Sequence, residues 1–240
     1  MTDKIFENVW SGNAEADADP YTLRVSIDTK AVVYIGPYSR RGKSRCLKAI
    51  EAADHDMDVK TKLVPGGILE VKTGRSFLFF TDNFKTSDFI VDGIDCWWIS
   101  VASMYTSIKR LVINMDNGPE CNGRRTRFLQ RLVEFVDTYK IIVRLIYYPP
   151  YHSKYNKIEH FWGGLERSWN GYLLESIDEV INRALNFAWR GINPKAVLFD
   201  TIYETGVTLS IEERVALEKR LIRSENLPWY DITITPLMVN

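Results

Sequence analysis

A chain of 240 residues with 45% hydrophobic and 26% charged residues carries enough apolar side chain for one sizeable core, which excludes a disordered or fibrous protein. No apolar run reaches the roughly 20 residues that span a bilayer, and the charged start MTDKIFENVW excludes an export signal, so a cytoplasmic, nucleoid-associated location is expected. Net charge is zero but unevenly placed: −4 over residues 1–20, +6 over 21–190 and −2 over 191–240. The basic middle suits a nucleic-acid partner, although an ordinary mixed surface explains the charge equally well. Cys46, Cys96 and Cys121 are far apart and lack a CxxC pair, so neither a disulfide framework nor a zinc cluster is indicated.

Residues 1–20, polar, acidic and closed by Pro20, read as a loose entry segment. LRVSIDTKAVVYIGP alternates and is rich in β-branched residues, which predicts two strands meeting around Thr29-Lys30. Residues 38–76 read as irregular, punctuated by Gly42, Pro65, Gly66, Gly67 and Gly74, before SFLFFT gives a third strand. Helical spacing from Thr86 to about Ser103 gives a helix, and LVINMD at 111–116 gives a buried strand stopped by Asn117-Gly118-Pro119. A helix over 124–139 and a strand in KIIVRLIYY follow, then helices at about 155–169 and 176–190, the second opened by a Ser176/Glu179 capping box. A second box, Ser210/Glu213, starts a last helix running to about Arg223.

Strands joined by short turns pair antiparallel, whereas strands reached through a helix return parallel by a right-handed crossover. The order therefore predicts an α/β fold of the ribonuclease H-like kind: a five-stranded mixed sheet with helices on both faces and its first and fourth strands adjacent. Residues 21–190 would form this domain and 191–240 a C-terminal helical appendage.

In that arrangement Asp28 ends the first strand and Asp116 the fourth, so both carboxylates emerge at one sheet edge. Glu159 lies early in a helix whose buried stripe is Ile158, Phe161, Trp162, Leu165 and Trp169, which places it at the stripe's border and able to point toward the aspartates. Three gathered carboxylates repel one another unless a cation sits between them, and hard oxygen donors select Mg²⁺ or Mn²⁺. Two such ions would activate a water or a 3′ hydroxyl against a phosphodiester. Taken singly, each acid has an ordinary structural role; the argument rests on the three together.

SIDTKAVVYIGPYSRRGKSR at 26–45, INMDNGPE at 113–120 and YYPPYHSKYNKIEHFWG at 147–163 each contain one of these acids. These blocks, with SWNGYLL at 168–174, resemble the catalytic blocks of insertion-sequence transposases with an Asp-Asp-Glu triad, of the ISAzo or Rhodopirellula type. The third block also resembles the pattern of mariner-like transposases. The resemblance covers about residues 21–210 and implies Asp28, Asp116 and Glu159 as catalytic metal ligands for two Mg²⁺ or Mn²⁺ ions. It further implies DNA, both element ends and target, as partner. Family members carry an N-terminal helical region that recognises the element's ends; here 27 residues precede Asp28, so an isolated catalytic part is expected.

Arg40, Arg41, Lys43, Arg45 and Lys48 form a basic cluster suited to DNA phosphates or to a solvated loop. Gly42-Lys43-Ser44 does not complete a phosphate-binding loop, because Gly36 lies one residue too far upstream. Arg124, Arg125, Arg127 and Arg131 lie on the polar side of their helix, where Arg124 and Arg127 are candidate DNA contacts and a charged outer face is the ordinary alternative. Asn156 shares the face of Glu159 and is a candidate contact to a DNA end or a helix cap. The aromatic run from Tyr147 to His152 would stiffen the approach to the glutamate helix, and an aromatic in it could stack on a flipped base.

The expected activity is metal-dependent cleavage at transposon ends followed by 3′-hydroxyl strand transfer, with no membrane and no small-molecule substrate, and compatible with a homo-oligomer. The alternatives are a nuclease of the same fold that only hydrolyses, and an idle remnant that binds DNA or partner subunits.

Overall fold

The computed structural model describes residues 1–43, 51–53 and 61–237. Its centre is a mixed sheet built of β1 (Thr22–Thr29), β3 (Thr61–Glu70), β4 (Ser76–Thr81), β5 (Arg110–Asp116) and β6 (Ile142–Tyr148) in the order β4-β3-β1-β5-β6. β1, β5 and β6 run parallel, while β3 and β4 run antiparallel to their neighbours, and β2 (Val33–Ile35) pairs with β3. This is the predicted ribonuclease H-like core.

The sheet is wider than five strands. β7 (Lys195–Leu198) extends it parallel to β4, and β9 (Asp231–Ile234) pairs antiparallel with β6 and carries β8 (Leu221–Arg223) at the far edge. Residues 191–240, expected as a helical appendage, thus supply both outer edges of the sheet. Their helix, α6 (Ile211–Glu218), has the predicted capping box but ends early, and Leu221–Arg223 become strand. The Ser176 cap of α5 (Ile177–Leu185) is half a box: its hydroxyl accepts from the Glu179 N–H, while the Glu179 side chain turns to the Glu175 N–H.

Two other expectations are corrected. Residues 2–18 are not loose but form α1 (Thr2–Ala18), which buries Ile5, Val9, Gly12 and Ala16 against β6 and β1. With two large apolar residues in that stripe, its periodicity is faint in the sequence. Ion pairs from Arg24 to Asp17 at 2.6 Å and from Arg144 to Glu15 at 2.8 Å fasten it to the sheet. The Pro65-Gly66-Gly67 stretch, read as a break, lies inside β3, because helix side chains press on it from above. A Cβ on Gly67 would stand 2.7 Å from the Trp162 ring and 3.0 Å from Ile158. Glycine marks a close approach here, not a turn.

α2 (Ser87–Val101) and α3 (Thr126–Tyr139) cover one face of the sheet, packing on Val25, Ile27, Phe79, Ile113, Leu145 and their neighbours. α4 (Lys157–Ser168) and α5 cover the other over Leu69, Leu78 and Phe80, with α1 beside them over Val112, Ile146 and Tyr148. Trp97, Trp98, Trp162 and Trp169 are core, as expected. Among the described residues no helix is long and apolar enough to cross a membrane.

Gly67→Ala is expected to lower stability by about 1–3 kcal/mol through overpacking. Gly163→Ala in α4, whose new methyl would meet nothing within 4 Å, is expected to be neutral or to stabilise by about 0.5–1 kcal/mol. Urea titrations of the two variants check the contrast.

Candidate metal site and its surroundings

Every paired position of β1 and β5 is offset by 88 residues, from Thr22 with Arg110 to Ser26 with Asn114. Asp28 and Asp116 share that offset, one same-face step beyond the last pair. The strands part there. Asp28 continues its pairing with Gly67 on β3, and Asp116 with Tyr148 on β6. Between the two ends opens a cavity of about 170 Å³, lined by both aspartates with Lys85, Glu120 and Cys121. Strand alternation sets the facing: Leu23, Val25 and Ile27 enter the α2–α3 core, so Ser26 and Asp28 turn toward α4.

Glu159 arrives from α4, whose head is pinned to β1 by a buried network. The Ser26 hydroxyl donates to Asn156 Oδ1 and accepts the Ile158 N–H at 2.9 Å, while Asn156 Nδ2 donates to the Ile27 carbonyl at 3.0 Å. Asn156 is fully buried and makes no side-chain cap. It stands at the N-cap position the sequence suggested, but its side chain caps nothing and is buried rather than exposed for DNA. It clamps the helix carrying Glu159 to the strand carrying Asp28.

The Glu159 charge acts on both aspartates. Burial, followed by the charges of Glu159 and Asp116, raises the Asp28 carboxyl to about 7; the Thr29 N–H and Lys85 oppose the rise. Burial and Glu159 raise Asp116 to about 6. Asp116 Oδ1 is buried without a hydrogen-bond partner. Burial pushes the neighbouring Cys121 thiol up to about 12, and its Sγ donates to the Asp116 carbonyl at 3.5 Å. An oxygen-only donor set, short of one partner and loaded with unfavourable charge, fits a hard divalent cation. Glu159 does not line the cavity, and among the described residues no three acid, histidine or cysteine side chains stand in a pose that would hold an ion.

The basic candidates divide. Arg127 is spent on Asp88, with its closest contact at 2.7 Å, and Arg131 bridges Asp88 and Asp92, so these arginines tie α3 to α2. Arg124 is exposed and stacks over Trp229, 4.8 Å from the ring centroid. Arg41 and Lys43 are exposed, Arg41 at a left-handed φ of 65°, and the Arg40 guanidinium donates to the Tyr34 carbonyl. Arg45 and Lys48 lie outside the described residues. The aromatic approach to α4 is braced from α1: the Phe6 ring meets His152 at 5.3 Å and Tyr155 at 5.0 Å. Tyr147 and Tyr148 are buried, whereas Tyr151 is fully exposed at a left-handed φ of 64°. Sequence reasoning singled out neither Lys85, which no motif marks, nor Glu120, the last residue of the INMDNGPE block.

Asn156→Ala would strand the Ile27 carbonyl and the Ser26 hydroxyl in the interior. It is expected to cost about 1–3 kcal/mol in a denaturant titration. A pH dependence follows from the two aspartates. Their folded values lie above the unfolded value near 3.8, so the folded state holds these protons more tightly. Their contribution to the stability of the metal-free protein is fully present below the unfolded value of 3.8 and is lost as pH rises through about 6 to about 7. Thermal melts in EDTA should show this slope in the wild type and a flatter one in the Asp28→Asn, Asp116→Asn double variant.

The family model of the Rhodopirellula transposase DDE domain matches residues 1–236. No curated protein matches the chain. Among solved structures, the Mos1 transposase paired-end complex with left transposon end has a TM-score of 0.48 at 8% identity, over 74% of this chain and 50% of that one. The Mos1 mariner paired end complex with Mn has a TM-score of 0.49, also at 8% identity and with the same coverage. The chain spans about half the length of these structures. With the match running through nearly its whole length, the chain belongs to the Rhodopirellula transposase DDE domain family.

Proposed function

We propose that this domain cleaves phosphodiester bonds at transposon ends and transfers the freed 3′ hydroxyl to target DNA, with Asp28, Asp116 and Glu159 as the ligands of divalent metal. The observation that carries the reading is that the three acids come from two adjoining strand ends and a helix pinned to one of those strands, with the Glu159 charge acting on both aspartates. Their order and sequence blocks agree with the family.

When bound, Mg²⁺ or Mn²⁺ would supply Lewis acidity to the phosphodiester and lower the cost of generating the attacking oxygen. The chain's own residues set the conditions for that chemistry. Asp28 and Asp116, both raised, must give up their protons to serve as anionic oxygen donors. Ser26 and Asn156 hold the α4 head against β1, from where Glu159 would approach the aspartates from the helix side. The 117–123 turn after Asp116 is fixed by the Asn117 side chain accepting the Gly123 N–H at 3.1 Å and by the Tyr147 hydroxyl donating to the Cys121 carbonyl at 2.6 Å. We take the catalytic unit to include α1 and the C-terminal strands, since both are built into the sheet.

Asp116→Asn and Glu159→Gln are each expected to lower Mn²⁺-dependent nicking of element-end DNA by about a thousandfold or more, corresponding to the several kcal/mol a metal contributes to charge stabilisation. A gel assay with EDTA, Mg²⁺ and Mn²⁺ arms measures it. Activity surviving both substitutions sinks the assignment. Hydrolysed ends without joined products would instead indicate a nuclease, and DNA binding without cleavage in any arm an idle remnant.

A further inference from the structure

The cavity at the aspartates does not stand alone. Lys85, in the turn between β4 and α2, lines it and also lines a groove of about 280 Å³ on its other side, whose walls include Ser87, Arg125 and residues 204–207. Glu120 belongs to both hollows as well. The two form a track that leads from the carboxylates past Lys85 to Arg125.

Two cations on this track are lightly held. The Lys85 ammonium, 38% exposed, pairs with Glu120 at 3.4 Å. Exposed pairs of this kind contribute about 0–1 kcal/mol, so a phosphate can displace Glu120 at little cost. Arg125 differs from its neighbours Arg124 and Arg127, which are engaged by Trp229 and Asp88. Among the described residues its one side-chain hydrogen bond is a long one, 3.4 Å from Nε to the Ser87 hydroxyl, and no carboxylate lies within ion-pair distance of its guanidinium. The Asp88 charge in the same wall is already matched by Arg127 and Arg131, which leaves Glu204 as the acid bounding the track on the far side.

We infer that Lys85 and Arg125 grip successive phosphates of the DNA strand that enters the aspartate cavity. The inference rests on the transposase reading. It makes Lys85 a substrate-contacting residue, and it gives Glu120 the role of holding the ammonium at the cavity mouth until a phosphate takes its place.

The test is the salt dependence of binding of a random-sequence DNA duplex to the full chain in EDTA, followed by fluorescence anisotropy. Each phosphate contact contributes about 0.9 to the slope of log K against log salt. Lys85→Met and Arg125→Met are each expected to lower the slope by about that amount and to weaken binding alike for all sequences. Lys85→Arg should restore the slope. Lys72→Met, in the β3–β4 turn at the opposite end of β1, should leave it unchanged. Unchanged slopes in both variants, or no measurable binding by the wild type, overturn the inference. Mn²⁺-dependent cleavage by the wild type in the same preparation would leave the transposase reading standing in either case. A slope drop without any cleavage would keep the phosphate track and remove the transposase reading.

Discussion

The donor set proposed here, Asp28, Asp116 and Glu159, repels itself, and something must hold its members in place before a cation arrives. In this domain the holding contact is the bonded group of Ser26, Asn156 and the Ile27 carbonyl, buried between β1 and the head of α4. A buried polar network of this kind is costly if any member loses its partner, which makes it a stiff joint. The Asp28 strand and the Glu159 helix meet through it. Without that joint the helix would be free to slide, and repulsion would carry Glu159 outward.

The other half of the geometry comes from register. Parallel pairing with a constant offset delivers Asp28 and Asp116 to one edge, and the divergence of β1 toward β3 and β5 toward β6 opens the space between them. Close helix packing on glycine serves the same end. Gly67 faces Asp28 across the β1–β3 ladder and lets Trp162 and Ile158 press onto the sheet, which seats α4 against the end of β1 that carries Asp28.

Much of this was legible in sequence because the elements that carry the acids are strongly patterned. LVINMD is apolar up to its final Asp but for Asn114, and the stripe from Ile158 to Trp169 left Glu159 at its border. What escaped had physical reasons. Pro65, Gly66 and Gly67 have the composition of a turn, and only the Trp162 ring above them shows why a strand needs glycine there. Half of the four residues α1 buries are small, Gly12 and Ala16, so its period is weak. β7, β8 and β9 are short and gain their stability from a sheet that other residues build. Asn156 looked available because its helical position matches that of Glu159, but its side chain is turned inward to β1. Arg127 likewise carries a charge that Asp88 has already claimed, and a charge count cannot see such pairing.

The C-terminal edge strands have a consequence for the order in which the domain is made. β6, which follows the strand of Asp116 in the sheet, finds its outer partner in β9, and the long stretch from α4 to β8 is synthesised between them. Until Asp231–Ile234 leave the ribosome, the nascent sheet presents the β6 edge unpaired, open to pairing with another chain. The last strand therefore acts as a closing seam, sealing the sheet beside the acids only after their helix has been made.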